Sequence, residues 1–262
     1  MMKKLLILFL LLVSFSLFSC SSVNTNFNDN IPPTETLPLP DQDVFEPDDE
    51  QDKKKVYAVS TVNSLRVRAK PNSSSTTLGT LDKNDAVLII GEQNGFYKTT
   101  YKEQPAYVYA SYCTTLEIEV ENADIESAID FGATLLGYPY VWGSQRYHWG
   151  NGKLNSNFVN GEFDCSALVL YVYYKTNNVI LDLTSRAQSL NGIEVKRTDL
   201  KRGDLMFFTN ASRKDKVGIE RIGHVGIYFG NNYILHTATD HAVIEPISNT
   251  RWSYYVTARR VV

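Results

Sequence analysis

Three side chains in this sequence have the types and spacing for nucleophilic catalysis. Cys165 stands in Phe163-Asp164-Cys165-Ser166-Ala167-Leu168, a polar turn opening onto an apolar run. His224 stands in Gly223-His224-Val225-Gly226-Ile227-Tyr228, and His236 closes Tyr233-Ile234-Leu235-His236. A cysteine at a helix start, followed by two histidines on strand-like segments, is the layout of a thiol nucleophile, its base and a third, orienting group. A free thiol has a pKa of about 8.5, so the nucleophile needs help at neutral pH. Asp164 is the expected N-cap. It would place Cys165 in the first helical turn, where the helix dipole and orphan N–H groups favour an anion and could hold an oxyanion.

The histidines flank Gly230-Asn231-Asn232, a strong turn signal. A three-residue loop pairs Phe229 with Tyr233 and hence His224 with Ala238. His224 and His236 then share one face as diagonal neighbours, with backbones about 7–8 Å apart. A two-residue loop puts them on opposite faces. The expected register is the first, or a bulge with the same effect. His224 would take the thiol proton and later protonate the leaving amine, while His236 would fix its tautomer. The two histidines could instead begin a zinc site, but further ligands at fitting spacing are not convincing. His148 reads as a surface residue, His241 as a turn residue, and Asp204 as a structural turn acid.

The elements that must position these groups form an α+β segment. Ile125, Ala128, Ile129, Ala133, Leu135 and Leu136 recur at helical spacing after Asp124, and Gly137 stops that helix. Ala167 to Tyr174 is apolar on all sides, as a central buried helix should be. Its Val and Tyr content would equally allow a strand, and the helix rests partly on the family resemblance given below. Strands follow at 205–208, 225–229, 233–237, 243–246 and 254–259. Before them, 56–59, 65–68, 86–90, 96–100 and 106–109 are β-rich and separated by turn signals, the pattern of a small barrel. The stretch 116–121 reads as a connector.

Two resemblances sharpen this. Leu65-Arg66-Val67-Arg68-Ala69-Lys70-Pro71, Leu78-Gly79-Thr80-Leu81, Asn94-Gly95-Phe96-Tyr97-Lys98 and Tyr107-Val108-Tyr109-Ala110-Ser111-Tyr112 resemble the bacterial SH3-like domain. Phe96 stands where that family has Trp, and Ala106-Tyr107 replaces its Gly-Trp. The last 140 residues resemble the NlpC family of cell-wall cysteine peptidases. The matching pieces are Gly137-Tyr138-Pro139-Tyr140-Val141-Trp142-Gly143, Asp164-Cys165-Ser166, Gln188, Arg202-Gly203-Asp204-Leu205-Met206-Phe207-Phe208, Gly223 to Tyr228, and Ile234 to Ala238. The implied fold class is α+β: a papain-like peptidase domain at 123–262 behind an all-β SH3-like barrel at 56–118.

By that resemblance Cys165 is the nucleophile, His224 the base and His236 the third polar residue. Tyr140 would lie near the nucleophile, and Asp164 and Ser166 would line the pocket that receives substrate. The implied reaction is hydrolysis of peptidoglycan stem peptides between γ-D-glutamate and the following diamino acid, with no metal or other cofactor. Cleavage between muramic acid and the first alanine, or wall binding without catalysis, are the alternatives. Ala167 and Ser144 replace family glycines. The Asn- and Gly-rich stretch 147–161 should form a loop bordering the cleft.

The chain has 262 residues, 26 basic and 29 acidic, for a net charge of −3, which argues against a nucleic-acid partner. Lys3 and Lys4 precede an apolar run from Leu5 to Phe18 that suits a signal peptide. Leu17-Phe18-Ser19-Cys20 resembles the lipobox of bacterial lipoproteins, which implies residues 1–20 as signal and lipidation of Cys20. Residues 21–55, with five prolines and an acidic run, read as a disordered tether. The expectation is a monomeric, exported protein anchored to a bacterial membrane. The other two cysteines, Cys113 and Cys165, are expected to be free, since a disulfide between them would silence the nucleophile.

Overall fold

A computed structural model describes residues 53–237 and 240–262. The signal, the lipobox with Cys20, and the tether up to residue 52 lie outside the described residues, as does Ala238. Among the described residues no helix is long and apolar enough to cross a membrane.

Eight strands build the N-terminal barrel: β1 Lys54–Ser60, β2 Leu65–Arg68, β3 Thr77–Leu81, β4 Ala86–Leu88, β5 Gly91–Gln93, β6 Phe96–Tyr101, β7 Gln104–Tyr109 and β8 Cys113–Glu119. They form a three-stranded sheet, β4-β1-β8, and a five-stranded sheet, β3-β2-β7-β6-β5. Residues 116–119, expected in a connector, belong to β8. They pair with β1 in an unbroken ladder from Ser60↔Cys113 to Lys54↔Glu119. Burial of Ile118 makes this continuation favourable.

Helix α1, Ala123–Thr134, starts where the Asn122 side chain accepts the Ile125 N–H at 3.0 Å, so the cap lies before the expected opening residue Asp124, which falls inside the first turn. After it come α2 Cys165–Asn177, α3 Ser185–Gln188, β9 Ile193–Val195, β10 Leu205–Phe208, β11 His224–Gly230, β12 Tyr233–Thr237, β13 Ala242–Pro246, α4 Asn249–Ser253 and β14 Tyr255–Arg260. The six strands form an antiparallel sheet in the order β13-β12-β11-β10-β14-β9. Every residue of α2 from Cys165 to Tyr173 is buried, which explains its apolar character all round. Strand alternation sends Val225, Ile227, Leu235 and Ile244 into the core shared with α2. Ile234 goes to the opposite face, against Met206 and Phe208.

Barrel and sheet domain share one apolar core. Tyr57 of β1 meets Phe229 of β11 edge-on, ring centres 4.8 Å apart. Beside them the buried Arg202 guanidinium binds Glu126 of α1 at 2.7 Å and the Tyr57 hydroxyl at 2.8 Å. Lys55 adds a 3.0 Å ion pair to Glu126. Burial of a lone guanidinium is costly, so this network locks the junction only while every member is present. Gly137 has φ of +83°, and the Tyr101 ring of the barrel occupies the place its Cβ would need. The expected helix stop is therefore also a junction contact.

Candidate active site

The position of Cys165 follows from local capping. Asp164 has extended backbone, and its Oδ1 accepts the Ala167 N–H at 2.9 Å, so Cys165 is the first residue of α2. Gln188 of α3 donates to the Ser166 carbonyl at 3.0 Å and pins this first turn from outside. The backbone N–H groups of Val225 and Ser166 are directed at the sulfur. Cys165 thus lies against the start of β11, next to His224 in the chain. Both Cys165 and Cys113 are free thiols.

The electrostatics differ from the expected thiolate-favouring site. Burial and the neighbouring Asp164 charge push the Cys165 thiol up to about 11, against the opposing pull of those N–H groups and Arg146. A few helix-end dipoles do not offset desolvation of a 92 % hidden side chain beside a carboxylate. A thiol held in this way would need a base to take its proton before acting as a nucleophile.

His224, the candidate base, stands on a hairpin whose register combines both forms considered from the sequence. Asn231 and Asn232 form a two-residue turn with φ of 48° and 64°, and Gly230 pairs with Tyr233. A bulge then absorbs Phe229, so that Tyr228 pairs with Ile234 and Ile227 with Leu235. Beyond the bulge the register is that of the three-residue loop. His224 and His236 fall on one face, with His224 Nε2 and His236 Nδ1 2.8 Å apart. Close approach depends on Gly226: a Cβ there would lie 2.6 Å from Ile234 Cδ1 and 2.9 Å from His236 Cβ.

The sequence reading did not single out Glu245. It lies in β13, which pairs with β12 so that Ile234 faces Glu245 and His236 faces Val243. Glu245 is thus the diagonal neighbour of His236, and its Oε1 is 2.9 Å from His236 Nε2. Arg251 of α4 donates to the same oxygen at 3.0 Å. The available signal was one acid in the apolar run Ala242-Val243-Ile244-Glu245, beside a histidine strand. Burial, the charge of His236 and that of Arg251 hold His224 well below the usual histidine range. Burial also lowers His236, against the Glu245 hydrogen bond that raises it. For Glu245 burial acts upward, but the bonds and charges of His236 and Arg251 together outweigh it and keep it below the usual carboxylate range.

Tyr140 is half-buried and bridges in parallel to Phe163, two residues before the nucleophile. Burial and the charges of Cys165 and Asp164 push its hydroxyl up, so it stays a neutral donor near the sulfur. Asp164 and Ser166 are both buried and engaged with Arg146, which pairs with Asp164 Oδ2 at 2.9 Å and donates to Ser166 Oγ at 3.0 Å. Arg146, overlooked in the sequence, carries their polarity to a cavity of about 230 Å³ lined also by Gly143, Trp149, Asn155 and Leu183. The expected cleft-side loop therefore supplies Trp149 and Asn155. A second cavity, about 380 Å³, is lined by His224, Asn210, Ser248 and Arg251 among others.

His148 is not at the surface. It is fully buried, stacks on Tyr174 with ring centres 4.8 Å apart, and accepts the Gly150 N–H at 2.9 Å. The aromatic neighbours Tyr147 and Phe158 fold the loop down onto α2, which removes the ring from solvent. Asp204 is buried against Arg260, at 2.8 Å, in a structural role. On the barrel, a groove of about 610 Å³ is lined by Arg66, Arg68, Phe96, Tyr109 and Tyr112.

A cysteine capped at a helix start, with a histidine pair on an antiparallel hairpin, is a layout suited to thiol chemistry. Residues 137–261 match the NlpC/P60 family, and residues 63–114 match the bacterial SH3 domain. The chain therefore carries an NlpC/P60 domain behind a bacterial SH3 domain. Among curated relatives it is 32% identical over 143 residues to the peptidoglycan DL-endopeptidase CwlO of Bacillus licheniformis, covering 53% of this chain and 28% of that protein. It is 28% identical over 167 residues to the γ-D-glutamyl-L-lysine dipeptidyl-peptidase of Bacillus subtilis, covering 63% of this chain and 49% of that protein. A crystal structure of an NlpC/P60 family protein from Bacillus cereus aligns with 81% of this chain and 65% of its own, at 23% identity and a TM-score of 0.42. The chain spans half or less of the length of those two curated relatives.

Proposed function

We propose that this protein hydrolyses peptidoglycan stem peptides, cutting the bond between γ-D-glutamate and the following diamino acid. The observation that carries this reading is Cys165 at the capped start of α2, against the strand that bears the His224–His236 pair. The name of the Bacillus subtilis relative supports the bond, and that of the Bacillus licheniformis relative supports the substrate class.

In this mechanism His224 accepts the Cys165 proton as the sulfur attacks the γ-carbonyl carbon. The N–H groups of Cys165 and Ser166, first in α2 and without carbonyls below them, together with the Tyr140 hydroxyl, receive the developing oxyanion. His224 then passes its proton to the leaving amine, and the C–N bond breaks to leave a thioester. Water, deprotonated by His224, attacks the thioester, and the sulfur departs with the proton returned to it. Because His224 must protonate the leaving group, the cavity beside it takes the diamino acid, and the Arg146 cavity takes the acyl portion. The barrel groove, with two arginines among aromatic rings, suits a wall strand bearing carboxylates.

The test is incubation of the full chain and its Cys165→Ala variant with purified muropeptides, read by mass spectrometry. Cys165-dependent release of a fragment beginning with the diamino acid is expected. A Cys165-dependent cut elsewhere would replace the substrate bond, and identical products from both proteins would remove the catalytic reading.

The signal-like run and Leu17-Phe18-Ser19-Cys20 support export and lipid attachment at Cys20, holding the monomeric enzyme on a bacterial membrane. In a bacterial expression host, Cys20→Ser should move the protein out of the membrane fraction. Continued membrane association of that variant would refute the anchor.

A further inference from the structure

We propose that Glu245 is the positioning residue that sets the direction of every proton in the catalytic relay. The inference rests on Cys165 acting as nucleophile, not on which bond it cuts. Three neighbouring strands contribute one group each to the same face: His224 from β11, His236 from β12 and Glu245 from β13. The links are 2.8 Å between His224 Nε2 and His236 Nδ1, and 2.9 Å between His236 Nε2 and Glu245 Oε1.

The argument is one of donors and acceptors. An ionised carboxylate can only accept, so His236 must carry its proton on Nε2. In a neutral imidazole the other nitrogen is then an acceptor, which makes His236 Nδ1 a lone pair. His224 Nε2 faces that lone pair and must donate to it. The remaining nitrogen, His224 Nδ1, is therefore a free lone pair, the form a general base requires. Without Glu245, His236 could carry its proton on Nδ1 and donate to His224. His224 would then hold its own proton on Nδ1 and could not accept one from the thiol. Arg251, 3.0 Å from the same Glu245 oxygen, keeps the carboxylate ionised and aimed. His236 is completely buried, so water cannot substitute for the missing acceptor without opening the site.

Two readouts test this in the full chain. Nitrogen-15 NMR of histidine-labelled protein reports ring tautomers directly, and the chain has only four histidines to assign. Both His224 and His236 should carry the proton on Nε2 in the wild type, and Glu245→Ala should populate the Nδ1–H form of one or both. The second readout is alkylation of Cys165 by iodoacetamide, followed at its peptide by mass spectrometry. Glu245→Ala should slow it about 10- to 100-fold, short of the roughly 10⁴-fold cost of a wrong tautomer where the lost acceptor touches the base directly. Glu245→Gln keeps an acceptor oxygen and should restore both the tautomers and most of the rate. An Nδ1–H form of either histidine in the wild type would overturn the proposal. So would wild-type tautomers and alkylation in Glu245→Ala, or no recovery in Glu245→Gln. Should Glu245→Ala fail to fold, the wild-type tautomers and the Glu245→Gln rate still decide. Neither readout uses a wall substrate, so a wrong substrate bond would leave this result standing.

Discussion

The two walls of the proposed catalytic site are built by different physics. On the helix wall, the nucleophile is placed by contacts within a few residues: the Asp164 cap, the first turn of α2, and the Arg146 clamp. On the sheet wall, the base is placed by register across three strands, and its polarity is settled by a carboxylate 21 positions away in sequence. The helix wall works against the thiolate, since burial and Asp164 together push Cys165 up to about 11. The sheet wall compensates with a deeply buried, neutral imidazole chain. In the proposed reaction the base, rather than the helix dipole, would make the sulfur reactive.

The largest effect should come from the helix wall. Cys165→Ala removes the nucleophile and should lower turnover of muropeptides by at least about 10⁴-fold while leaving the fold intact, as followed by circular dichroism. Preserved turnover would mean that the two walls do not cooperate at all. Next in size is the junction that holds both walls to the barrel. Arg202→Met leaves Glu126 buried beside fewer cations and should cost about 3–5 kcal/mol in urea unfolding. A cost within error of zero would show that the junction is not stressed by a lone charge.

Gly226→Ala tests the sheet wall without removing any polar group. Its methyl would sit 2.9 Å from His236 Cβ, so the relay must shift, and kcat should fall about 10- to 100-fold. Unchanged kcat would show that the relay tolerates displacement. Asp164→Asn keeps the cap but removes the charge that raises the thiol. Cys165 alkylation at pH 7 should then speed up by up to about tenfold. Slower alkylation would mean that the carboxylate acts mainly through geometry.

The smallest effect concerns pH. His224 must be neutral to accept the thiol proton, and its value lies well below the ordinary 6.5. Activity should hold through pH 6.5 and fail only as pH drops below it, in a profile of kcat/KM. Stability follows the same sign. Between the lowered folded values of His224 and His236 and the unfolded value of 6.5, the unfolded chain binds more protons, so stability declines as pH falls through that window. An acid limb above pH 6.5 would contradict the buried neutral relay.

Much of this architecture was legible. Asp164 announced a cap and Gly230-Asn231-Asn232 a hairpin, because capping and turn chemistry act over three or four residues. The apolar run 167–174 suited a strand as well as a helix, and only its burial on all sides decided between them. Leu205–Phe208 and Tyr233–Thr237 have the bounds read from the sequence. β8 was mistaken in part for a connector because its partner, β1, lies more than fifty residues earlier. His148 was misplaced for a similar reason. Its burial depends on Tyr174 and on a loop folded back over α2, neither visible from Asn- and Gly-rich composition. Arg146 and Glu245 escaped notice because isolated charges carry no periodic signal.

The sequence by itself marked Cys165, His224 and His236 as the candidate site, the cap before the cysteine and the hairpin that presents the two histidines. These follow from residue type and from interactions between near neighbours, which any conformation of the surrounding chain would preserve. Tertiary structure alone decided the thiol's raised pKa, the union of barrel and sheet domain through Arg202, and the tautomer of the base. Each depends on desolvation or on a hydrogen bond between groups distant in the chain, and those terms exist only once packing has excluded water and brought the strands into register.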